Sequence, residues 1–284
     1  MIALTAATGQ LGRLVATQLL ARLPAAGLAA VVRDPAKAAD LAARGLAVRA
    51  ADYTDTDALA RAFAGVERLL LISGNEIGQR IAQHRNVIAA ARRAGVKLLV
   101  YTSLLRANTT PLDLGPEHAQ TEAELKASGL PFVILRNGWY TENYTASVPA
   151  ALAHGVLLGS AGSGRIASAA RADYAAAAVA ALTGAAEIGR TYELAGDTAY
   201  TLADLAAELS RRTGKTIPYR NLPEADYAAV LLQAGLPPPL ARGLAAWDVA
   251  ASHGALFDDT RALSRLIGRP TTPLVDSLRD ALPA

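Results

Sequence analysis

A glycine-spaced loop between an apolar strand and a helix is the feature that most constrains this chain. The strand covers residues 2–5, the loop runs from Thr5 to Gly12, and the helix follows over residues 10–22. Glycines in such a loop let an anion approach the backbone, and the helix start points free N–H groups and its positive dipole end at that anion. The pattern predicts a dinucleotide-binding fold with the pyrophosphate at this turn.

The loop departs from the usual glycine pattern at its first position. Gly9 and Gly12 are present, but Ala6 stands where the first glycine of G-x-x-G-x-x-G is expected. If Ala6 has a positive φ, its methyl group costs about 1 kcal/mol or more relative to glycine. If its φ is ordinary, the methyl group crowds the pyrophosphate instead. Both cases predict weaker binding of the dinucleotide.

The second predicted strand, residues 28–32, ends at a residue that bears on the choice of cofactor. An acidic residue there binds the ribose 2′-hydroxyl of NADH, whereas an arginine binds the 2′-phosphate of NADPH. Arg33 therefore favours NADPH, because its planar guanidinium matches a phosphate. A solvated arginine at a strand end is the alternative. Asp34 is a rival ribose ligand, although it fits better as the N-cap of a helix beginning at Pro35.

Composition argues against several functional classes. The chain has 284 residues, 52% of them hydrophobic, which is enough for one large domain or a domain with a small annex. The net charge is only +3 and no basic stripe is interleaved with aromatic residues, so no nucleic-acid partner is expected. With no cysteine and four widely spaced histidines, no metal site is expected either. No signal-peptide core and no run of ~20 apolar residues is visible, which predicts a cytoplasmic protein without a membrane partner.

Strand and helix signals alternate through the first half of the chain, as in a doubly wound parallel sheet. Right-handed crossovers then give a Rossmann-like α/β fold with the strand order 3-2-1-4-5-6. The predicted strands lie near residues 2–5, 28–32, 46–49, 68–72, 97–102 and 132–135. The predicted helices lie near residues 10–22, 35–44, 55–63, 79–94 and 117–128, with Gly95 and Gly129 just after two of them.

The pattern loosens after Arg136. Loop and short helix are expected over residues 137–170, an alanine-rich helix over 171–183, a late strand over 191–194, and two or three helices in the proline-punctuated tail. We therefore expect an NADP-binding Rossmann domain at residues 1–150, to which 171–195 return. Residues 196–284, together with 151–170, are expected to form a small, mainly helical substrate subdomain or lid.

Ligands of an open parallel sheet bind outside the carboxyl ends of its strands. The residues just after each predicted strand are therefore candidates for a site. They are Thr8 to Leu11, Arg33, Asp52, Tyr53, Ser73 to Asn75, Thr102, Ser103 and Asn137 to Tyr140. Several of them are small and polar, as a cofactor groove requires.

Several segments, spread over essentially the whole chain, together resemble one family. They are Thr5–Gly12, Val32–Lys37, Leu69–Ser73, Gly78–Arg80, Gln83–Val87, Tyr101–Leu105, Leu135–Tyr140, Arg171–Tyr174 and Leu256–Asp259. The family is the bacterial NAD(P)H:quinone oxidoreductases of the NmrA-like branch of atypical short-chain dehydrogenases, with triphenylmethane reductases as close relatives. The first motif is shared by a vast superfamily, whereas Arg-Asn-Gly-Trp-Tyr and Arg-Ala-Asp-Tyr are much more specific.

The resemblance implies a flavin-free enzyme that binds NADPH and passes hydride to a quinone held between the groove and the lid. It implies cofactor contacts at Ala6, Ala7, Thr8, Gly9, Gln10, Leu11, Arg33, Ser73, Gly74, Asn75, Asn137, Gly138, Trp139, Tyr140, Thr141, Glu142 and Arg171. The chain departs from the family at Ala6, and at Gly74 and Asn75, where serines are expected. A small-molecule quinone is thus the expected partner, and a homodimer is left open.

The chemistry differs from that of ordinary short-chain dehydrogenases, because none of the nine tyrosines has a lysine four residues later. Quinone reduction needs less machinery: the nicotinamide and the acceptor must be aligned at roughly 3–3.5 Å with water excluded. Asn137, Tyr140 and His118 are the candidates for a hydrogen bond to the quinone oxygen. For Tyr140, packing beside Trp139 is the alternative, and for His118 a surface position on its helix.

Further side chains have two interpretations each. His84 serves helix packing or a dimer surface, and Trp139 and Tyr144 wall the acceptor pocket or belong to the core. Arg171 pairs with a phosphate or with Asp173.

Three functions remain open at this point. An NADPH-dependent quinone reductase that works by direct two-electron transfer is the leading hypothesis. A triphenylmethane or azo dye reductase is the alternative within the same class, because flat conjugated acceptors fit the same pocket. A non-catalytic NADP(H)-sensing regulator of the NmrA-like type is the alternative from a different class. An isomerase or epimerase of nucleotide-linked sugars is disfavoured by the missing tyrosine–lysine pair.

Overall fold

A parallel sheet of seven strands forms the centre of the computed structural model, which describes residues 1–282. The strands are β1 (Ile2–Thr5), β2 (Leu28–Val32), β3 (Ala47–Ala50), β4 (Arg68–Leu71), β5 (Leu98–Leu104), β6 (Phe132–Asn137), β7 (Leu157–Gly159), β8 (Thr191–Leu194) and β9 (Tyr219–Asn221). The sheet order is β3-β2-β1-β4-β5-β6-β8, and every pairing in it is parallel. The predicted Rossmann-like order of the first six strands is therefore confirmed, and the late strand joins the sheet beside β6.

The helices alternate with these strands as expected, up to β6. They are α1 (Gln10–Leu20), α2 (Ala39–Ala43), α3 (Thr56–Ala62), α4 (Arg80–Arg93), α5 (Gly115–Ala127), α6 (Thr141–Thr145), α7 (Val148–His154), α8 (Arg171–Thr183), α9 (Leu202–Thr213), α10 (Glu224–Gln233), α11 (Pro238–Ser252), α12 (Ala262–Ile267) and α13 (Leu274–Ala281). The expectation of two or three helices in the tail is wrong, since five follow β8 within the described residues. Pro223, Pro237 and Pro273 are N-caps there, so each of them stands directly before a helix.

Both faces of the sheet are covered by helices. Successive strand residues point to opposite faces, so Leu4 joins an apolar cluster with α1 and α8, and Ala3 joins one with α3 and α4. Strands buried on both faces carry continuous apolar runs, which is why the sequence pattern located them well. Among residues 1–282, no helix combines the length and the hydropathy that a bilayer crossing requires.

A third apolar cluster is built mainly from residues that follow β6. It unites side chains of α6, α7, α9, α11 and α13, with Tyr144, Tyr200 and Leu205 among the buried members. Here β7 and β9 pair in parallel and form a separate two-stranded sheet, with Leu157 opposite Tyr219. The sequence pattern did not predict this sheet, because strands of three residues are too short to show an alternating period.

The ends of several helices follow the predicted signals. The Asp34 carboxylate accepts a hydrogen bond from Ala36 N at 3.0 Å, and Asp55 caps α3 in the same way. Gly95 and Gly129 follow α4 and α5 with φ of 73° and 77°. The predicted helix over residues 35–44 is divided, however, into a 3₁₀ turn and the short α2.

A buried ion network ties β6 to its neighbours. The Arg136 guanidinium donates to both carboxylate oxygens of Glu122 on α5, at 2.8 and 2.7 Å, and to Glu193 on β8 at 2.7 Å. The second oxygen of Glu193 accepts a hydrogen bond from Arg106 N at 2.8 Å. The hydrogen bonds that Arg136 donates to Glu122 are the main cause that raises the pKa of Arg136. One cation thus joins α5, β6 and β8.

Replacing Glu122 with glutamine should lower the free energy of unfolding by about 3 kcal/mol, because breaking a buried pair leaves a charge without full compensation. Chemical denaturation of the two proteins would measure the difference. Glu124→Gln is the matched control on the same helix, since Glu124 pairs with the exposed Arg85 and its loss should be much smaller. Equal losses in the two variants would contradict the role given to Glu122.

Candidate functional site

A pocket of about 640 Å³ opens at the carboxyl ends of β1, β2 and β4. The chain leaves β1 toward β2 on one side and β4 lies on the other, so the pocket is at the point where the strand order reverses. Open α/β sheets bind their ligands at this point. The predicted residues that line the pocket are Ala6, Thr8, Gly9, Gln10, Leu11, Arg33, Asp52, Tyr53, Ser73, Gly74, Asn75, Tyr140 and Arg171.

Other residues predicted for the cofactor site lie outside this lining. They are Ala7, Asn137, Gly138, Trp139, Thr141 and Glu142. Ala7 is fully buried beneath the loop, and Thr141 Oγ1 hydrogen-bonds to Ser168 Oγ at 2.9 Å. The Glu142 carboxylate accepts hydrogen bonds from Arg171 N at 2.9 and 3.0 Å. Ala7, Thr141 and Glu142 therefore support the wall of the pocket from behind.

The loop after β1 is shaped by two close backbone contacts. Ala6 has φ of 49°, in the left-handed region, and its carbonyl accepts a hydrogen bond from Gly9 N at 3.0 Å. A side chain at Gly12 would place its Cβ 2.7 Å from the Ala7 Cα, so only glycine lets α1 start this close to the loop. The first of the two alternatives for Ala6 therefore applies: the chain holds an alanine where glycine is favoured.

The start of α1 is left open for an anion. The helix has no side-chain cap and no acidic residue in its first turn, in contrast to α3, which Asp55 caps. The first N–H groups of a helix have no partner within the helix, so those of Gln10, Leu11 and Gly12 are available to a ligand. Together with the helix dipole they fit a negatively charged pyrophosphate. The residues present therefore fit a dinucleotide.

Arg33 stands at the mouth of this pocket. Its side chain is 65% exposed, and its Nη1 donates to Glu76 Oε1 at 2.7 Å. Asp34 also lines the pocket, and its carboxylate caps the following turn, as the N-cap interpretation predicts. Hydrogen bonds from Thr54 lower the pKa of Asp52, and the charge of Arg33 adds to this effect. A solvent-exposed guanidinium at the end of β2 fits the 2′-phosphate role predicted for it.

The loop after β4 is held in place by side chains of α4. Gly74 N donates to His84 Nε2 at 3.0 Å, and Arg80 Nε donates to Gly74 O at 2.9 Å. Because Nε2 accepts, the proton of neutral His84 is on Nδ1, which lies 3.1 Å from Thr121 Oγ1. Burial lowers the pKa of His84 to about 3, with a smaller contribution from the Arg80 charge. The backbone of this pocket wall thus depends on an uncharged histidine.

His118 is also buried, and the alternative of a surface histidine is wrong. Its side chain is only 5% exposed, and its Nδ1 lies 2.7 Å from the Tyr101 hydroxyl. Burial lowers its pKa to about 3, assisted by the charge of Arg80. His84 is fully buried within the chain, which rules out its placement at a dimer surface. The two histidines and Tyr101 fill the space where α4 and α5 pack on β5, and His118 does not line the pocket.

On the opposite wall, Arg171 stacks on Tyr140, with its guanidinium carbon 4.5 Å from the ring centroid. The predicted alternative partner of Arg171, Asp173, is bound instead by Arg269 at 2.7 Å and by the backbone of Thr272. The carboxylate near Arg171 is instead Glu142, whose Oε2 lies 4.0 Å from Arg171 Nη1. Arg171 lines the pocket, where it can meet a phosphate.

Asn137 lies beside Tyr140 at the end of β6. Its Oδ1 is buried and has no hydrogen-bond partner among the described residues. Burial raises the pKa of the Tyr140 phenol, and the Asn137 amide opposes this in part. A buried amide oxygen without a partner is costly unless a ligand supplies a donor.

Four further candidates belong to the interior of the fold. β5 extends to Leu104, so Thr102 and Ser103 lie within the strand: Thr102 Oγ1 accepts from Ser73 N at 2.9 Å, and Ser103 donates to Glu122 at 2.6 Å. Trp139 and Tyr144 are both buried in the third apolar cluster, which agrees with the core interpretation.

Sequence reasoning missed four polar side chains that line the pocket. They are Lys37, Glu76, Arg80 and Gln83. The spacing of Arg80 and Gln83 on one face of α4 was the available signal, since residues three apart are neighbours on a helix. Within the described part of the chain, no three histidine or carboxylate side chains are arranged to hold a metal ion.

Comparisons with known proteins agree with this geometry. Residues 6–185 match the NAD(P)H-binding family. Over 278 residues, the chain is 58% identical to quinone oxidoreductase 2 of Escherichia coli K12, covering 98% of this chain and 97% of that protein. The crystal structure of an NADPH-dependent quinone oxidoreductase from E. coli in complex with NADPH matches with a TM-score of 0.96 at 58% identity, covering 99% of both chains. The triphenylmethane reductase of Citrobacter sp. complexed with NADP(H) matches with a TM-score of 0.96 at 37% identity, covering 99% of this chain and 100% of that one.

Ala6→Gly should raise the free energy of unfolding by about 1 kcal/mol, because glycine adopts the left-handed backbone without the steric cost of a methyl group. The same variant should bind NADPH more tightly, as measured by titration calorimetry. Ala7→Gly is the control: Ala7 is buried with an ordinary φ, so glycine there should destabilise the protein. If Ala6→Gly also destabilised the fold, or left the NADPH dissociation constant unchanged, the strain assigned to Ala6 would be refuted.

The neutral histidines should make stability depend on pH. Their folded-state pKa values lie below the ordinary value of 6.5, so as pH falls the unfolded chain takes up protons first and the free energy of unfolding decreases. The stability is complete above about pH 6.5 and is lost progressively toward pH 3. In His84→Gln the slope of the unfolding free energy near pH 5 should be smaller by about 1.4 kcal/mol per pH unit. Denaturation of both proteins at pH 8 and pH 5 separates this slope from the loss of packing, because lost packing lowers the unfolding free energy equally at both pH values. If the unfolding free energies of the two proteins differed by the same amount at pH 8 and pH 5, the role given to neutral His84 would be contradicted.

Proposed function

The chain belongs to the NAD(P)H-binding family, within the quinone oxidoreductases of the NmrA-like atypical short-chain dehydrogenases, and we propose that it reduces quinones with NADPH. The observation that carries the proposal is the uncapped start of α1 beside the exposed strand-end Arg33, in one pocket at the switch point of the sheet. The first feature fits a pyrophosphate and the second a 2′-phosphate. When bound, NADPH supplies a hydride, so no flavin is required.

In this proposal, different residues of the pocket bind different parts of NADPH. The loop from Ala6 to Leu11 and the start of α1 would hold the pyrophosphate, and Arg33 would hold the 2′-phosphate. Ser73 to Asn75 would contact the middle of the cofactor, held in place by His84 and Arg80 through Gly74. Arg171 would neutralise a phosphate charge while its stem packs on Tyr140.

The reaction asks the protein mainly for alignment and for exclusion of water. The buried Asn137 Oδ1 without a partner is suited to accept from the nicotinamide carboxamide, and the Tyr140 phenol, with its raised pKa, to donate to the quinone oxygen. His118 has a different role in this proposal: it is bonded to Tyr101 and supports the wall behind the site.

The acceptor would be held between this pocket and the part of the chain that follows β6. We assign residues 196–284, with 151–170, to a substrate subdomain and residues 1–150, with 171–195, to the cofactor domain. Arg106 supports this arrangement, because its guanidinium donates to the carbonyls of Gly254 and Phe257. A cytoplasmic location and a homodimer belong to the same proposal; light scattering of the purified protein tests the dimer.

Turnover by the purified protein tests the function. NADPH consumption without added flavin would be followed against a series of small quinones and one triphenylmethane dye. Saturable turnover with quinones that exceeds turnover with the dye is the expected result. Preferred reduction of the dye would identify a dye reductase, and tight NADPH binding without turnover of any acceptor would identify a dinucleotide sensor. Either outcome would overturn the proposal.

Arg33→Ala should weaken the binding of NADPH and leave the binding of NADH nearly unaffected, because only NADPH carries the 2′-phosphate that the guanidinium is proposed to bind. A charge-assisted contact of this kind is worth about 1.5–3 kcal/mol, which corresponds to a rise of roughly 10- to 150-fold in the NADPH dissociation constant. Titration with both cofactors measures it. Arg22→Ala, on the loop after α1 and outside the pocket lining, is the control. Equal losses of affinity for the two cofactors would contradict the 2′-phosphate role of Arg33.

A further inference from the structure

The ion pair between Arg33 and Glu76 closes one side of the cofactor pocket. Arg33 follows β2 and Glu76 lies in the loop after β4, so the pair crosses the end of β1, which lies between those strands. The Nη1 to Oε1 distance is 2.7 Å, and both residues line the pocket. The side chain predicted to bind the 2′-phosphate is therefore already bound to a carboxylate of the protein.

Glu76 is held in position from the other side. Its second oxygen, Oε2, accepts a hydrogen bond from Gln83 Nε2 at 2.6 Å, and Gln83 is only 7% exposed on α4. A carboxylate anchored by a buried amide keeps its free oxygen aimed at Arg33, and it loses little further freedom when the pair forms. This distinguishes the pair from an incidental contact between two mobile surface side chains.

Other acidic residues near Arg33 are occupied elsewhere. Asp34 accepts from Ala36 N, and Asp52 accepts two hydrogen bonds from Thr54. Glu76 is therefore the carboxylate that binds the guanidinium directly within the described part of the chain. A phosphate and a carboxylate use the same fork of N–H donors, so the two anions compete for Arg33.

We propose that Glu76 is an internal competitor of the ribose 2′-phosphate and sets how strongly the protein discriminates NADPH from NADH. The proposal rests on the proposed function, since it takes Arg33 as the 2′-phosphate site. NADPH must displace Glu76 from Arg33, whereas NADH leaves the ion pair in place. The carboxylate thereby weakens NADPH binding selectively and limits the cofactor preference that Arg33 alone would give.

The size of the effect follows from the exposure of the pair. With Arg33 65% and Glu76 43% exposed, the attraction is screened by water. Exposed pairs are worth up to about 1 kcal/mol, so removing the competitor should tighten NADPH binding by about two- to fivefold. Salt should reduce the difference further, because screening weakens the pair in the unmutated protein.

Glu76→Gln is the test variant, since glutamine keeps an oxygen that can accept from Gln83 and loses only the charge. Titration calorimetry would compare NADPH with NADH, and 2′,5′-ADP with 5′-ADP, which isolates the 2′-phosphate from the nicotinamide. We expect tighter binding of NADPH and 2′,5′-ADP and unchanged binding of the other two ligands. Asp40→Asn is the matched control: it removes the same charge from an ion pair with Arg13, which lies outside the pocket mouth.

The variant Arg33→Ala completes a double-mutant cycle. Glu76→Gln should have no effect in that background, because the group for which the two anions compete is gone. Weaker binding of 2′,5′-ADP by Glu76→Gln, an equal change for all four ligands, the same gain in Asp40→Asn, or a gain that persists without Arg33 would each overturn the proposal. These readouts need no quinone, so a failure to turn over quinones would reject the proposed activity and leave this result standing. Absence of NADPH binding by the unmutated protein would reject both.

Discussion

The close contact between Gly12 and the loop after β1 is the constraint on which the site depends. Because no Cβ fits between Gly12 and Ala7, α1 begins directly against the backbone of the loop. Its free N–H groups are thereby fixed at the end of β1, between the strands on either side. Arg33 after β2 and the loop after β4 flank this helix start, so all three line the same pocket. The alanine at position 6 shows that the protein tolerates backbone strain to keep this geometry.

The site combines an anion-attracting floor with walls that are held by buried polar groups. Around the mouth, charges are exposed and paired, as in Arg33 with Glu76, so they can exchange partners at small cost. Behind the wall, His84 is buried and uncharged, and its bonds keep the loop after β4 in one conformation. The exchangeable contacts therefore select the ligand, and the buried ones preserve the shape that receives it.

The sequence predicted the sheet well and the polar interior poorly. The strand order followed from apolar runs buried on both faces and from right-handed crossovers. Thr102, Ser103 and Asn137 resembled loop residues, but their strands continue because neighbouring elements supply hydrogen bonds that no local pattern records. The histidines on α4 and α5 are a similar case. A polar residue on a helix is usually solvated. Only the packing of the two helices on β5 shows that His84 bonds to Thr121 of α5, and His118 to Tyr101 of β5, away from water.

The alanine-rich composition of α8 limits which substitutions this helix can accept. All of its residues from Asp173 to Leu182 are buried, and most of them are alanines. An alanine has no rotamers to lose, so the alanines of this helix pack between α1 and the sheet without a side-chain entropy cost. The same close packing leaves no volume for a larger residue, and overpacking is itself destabilising. This segment should therefore change very slowly during evolution, whereas α10, which has no buried residue, is free to drift.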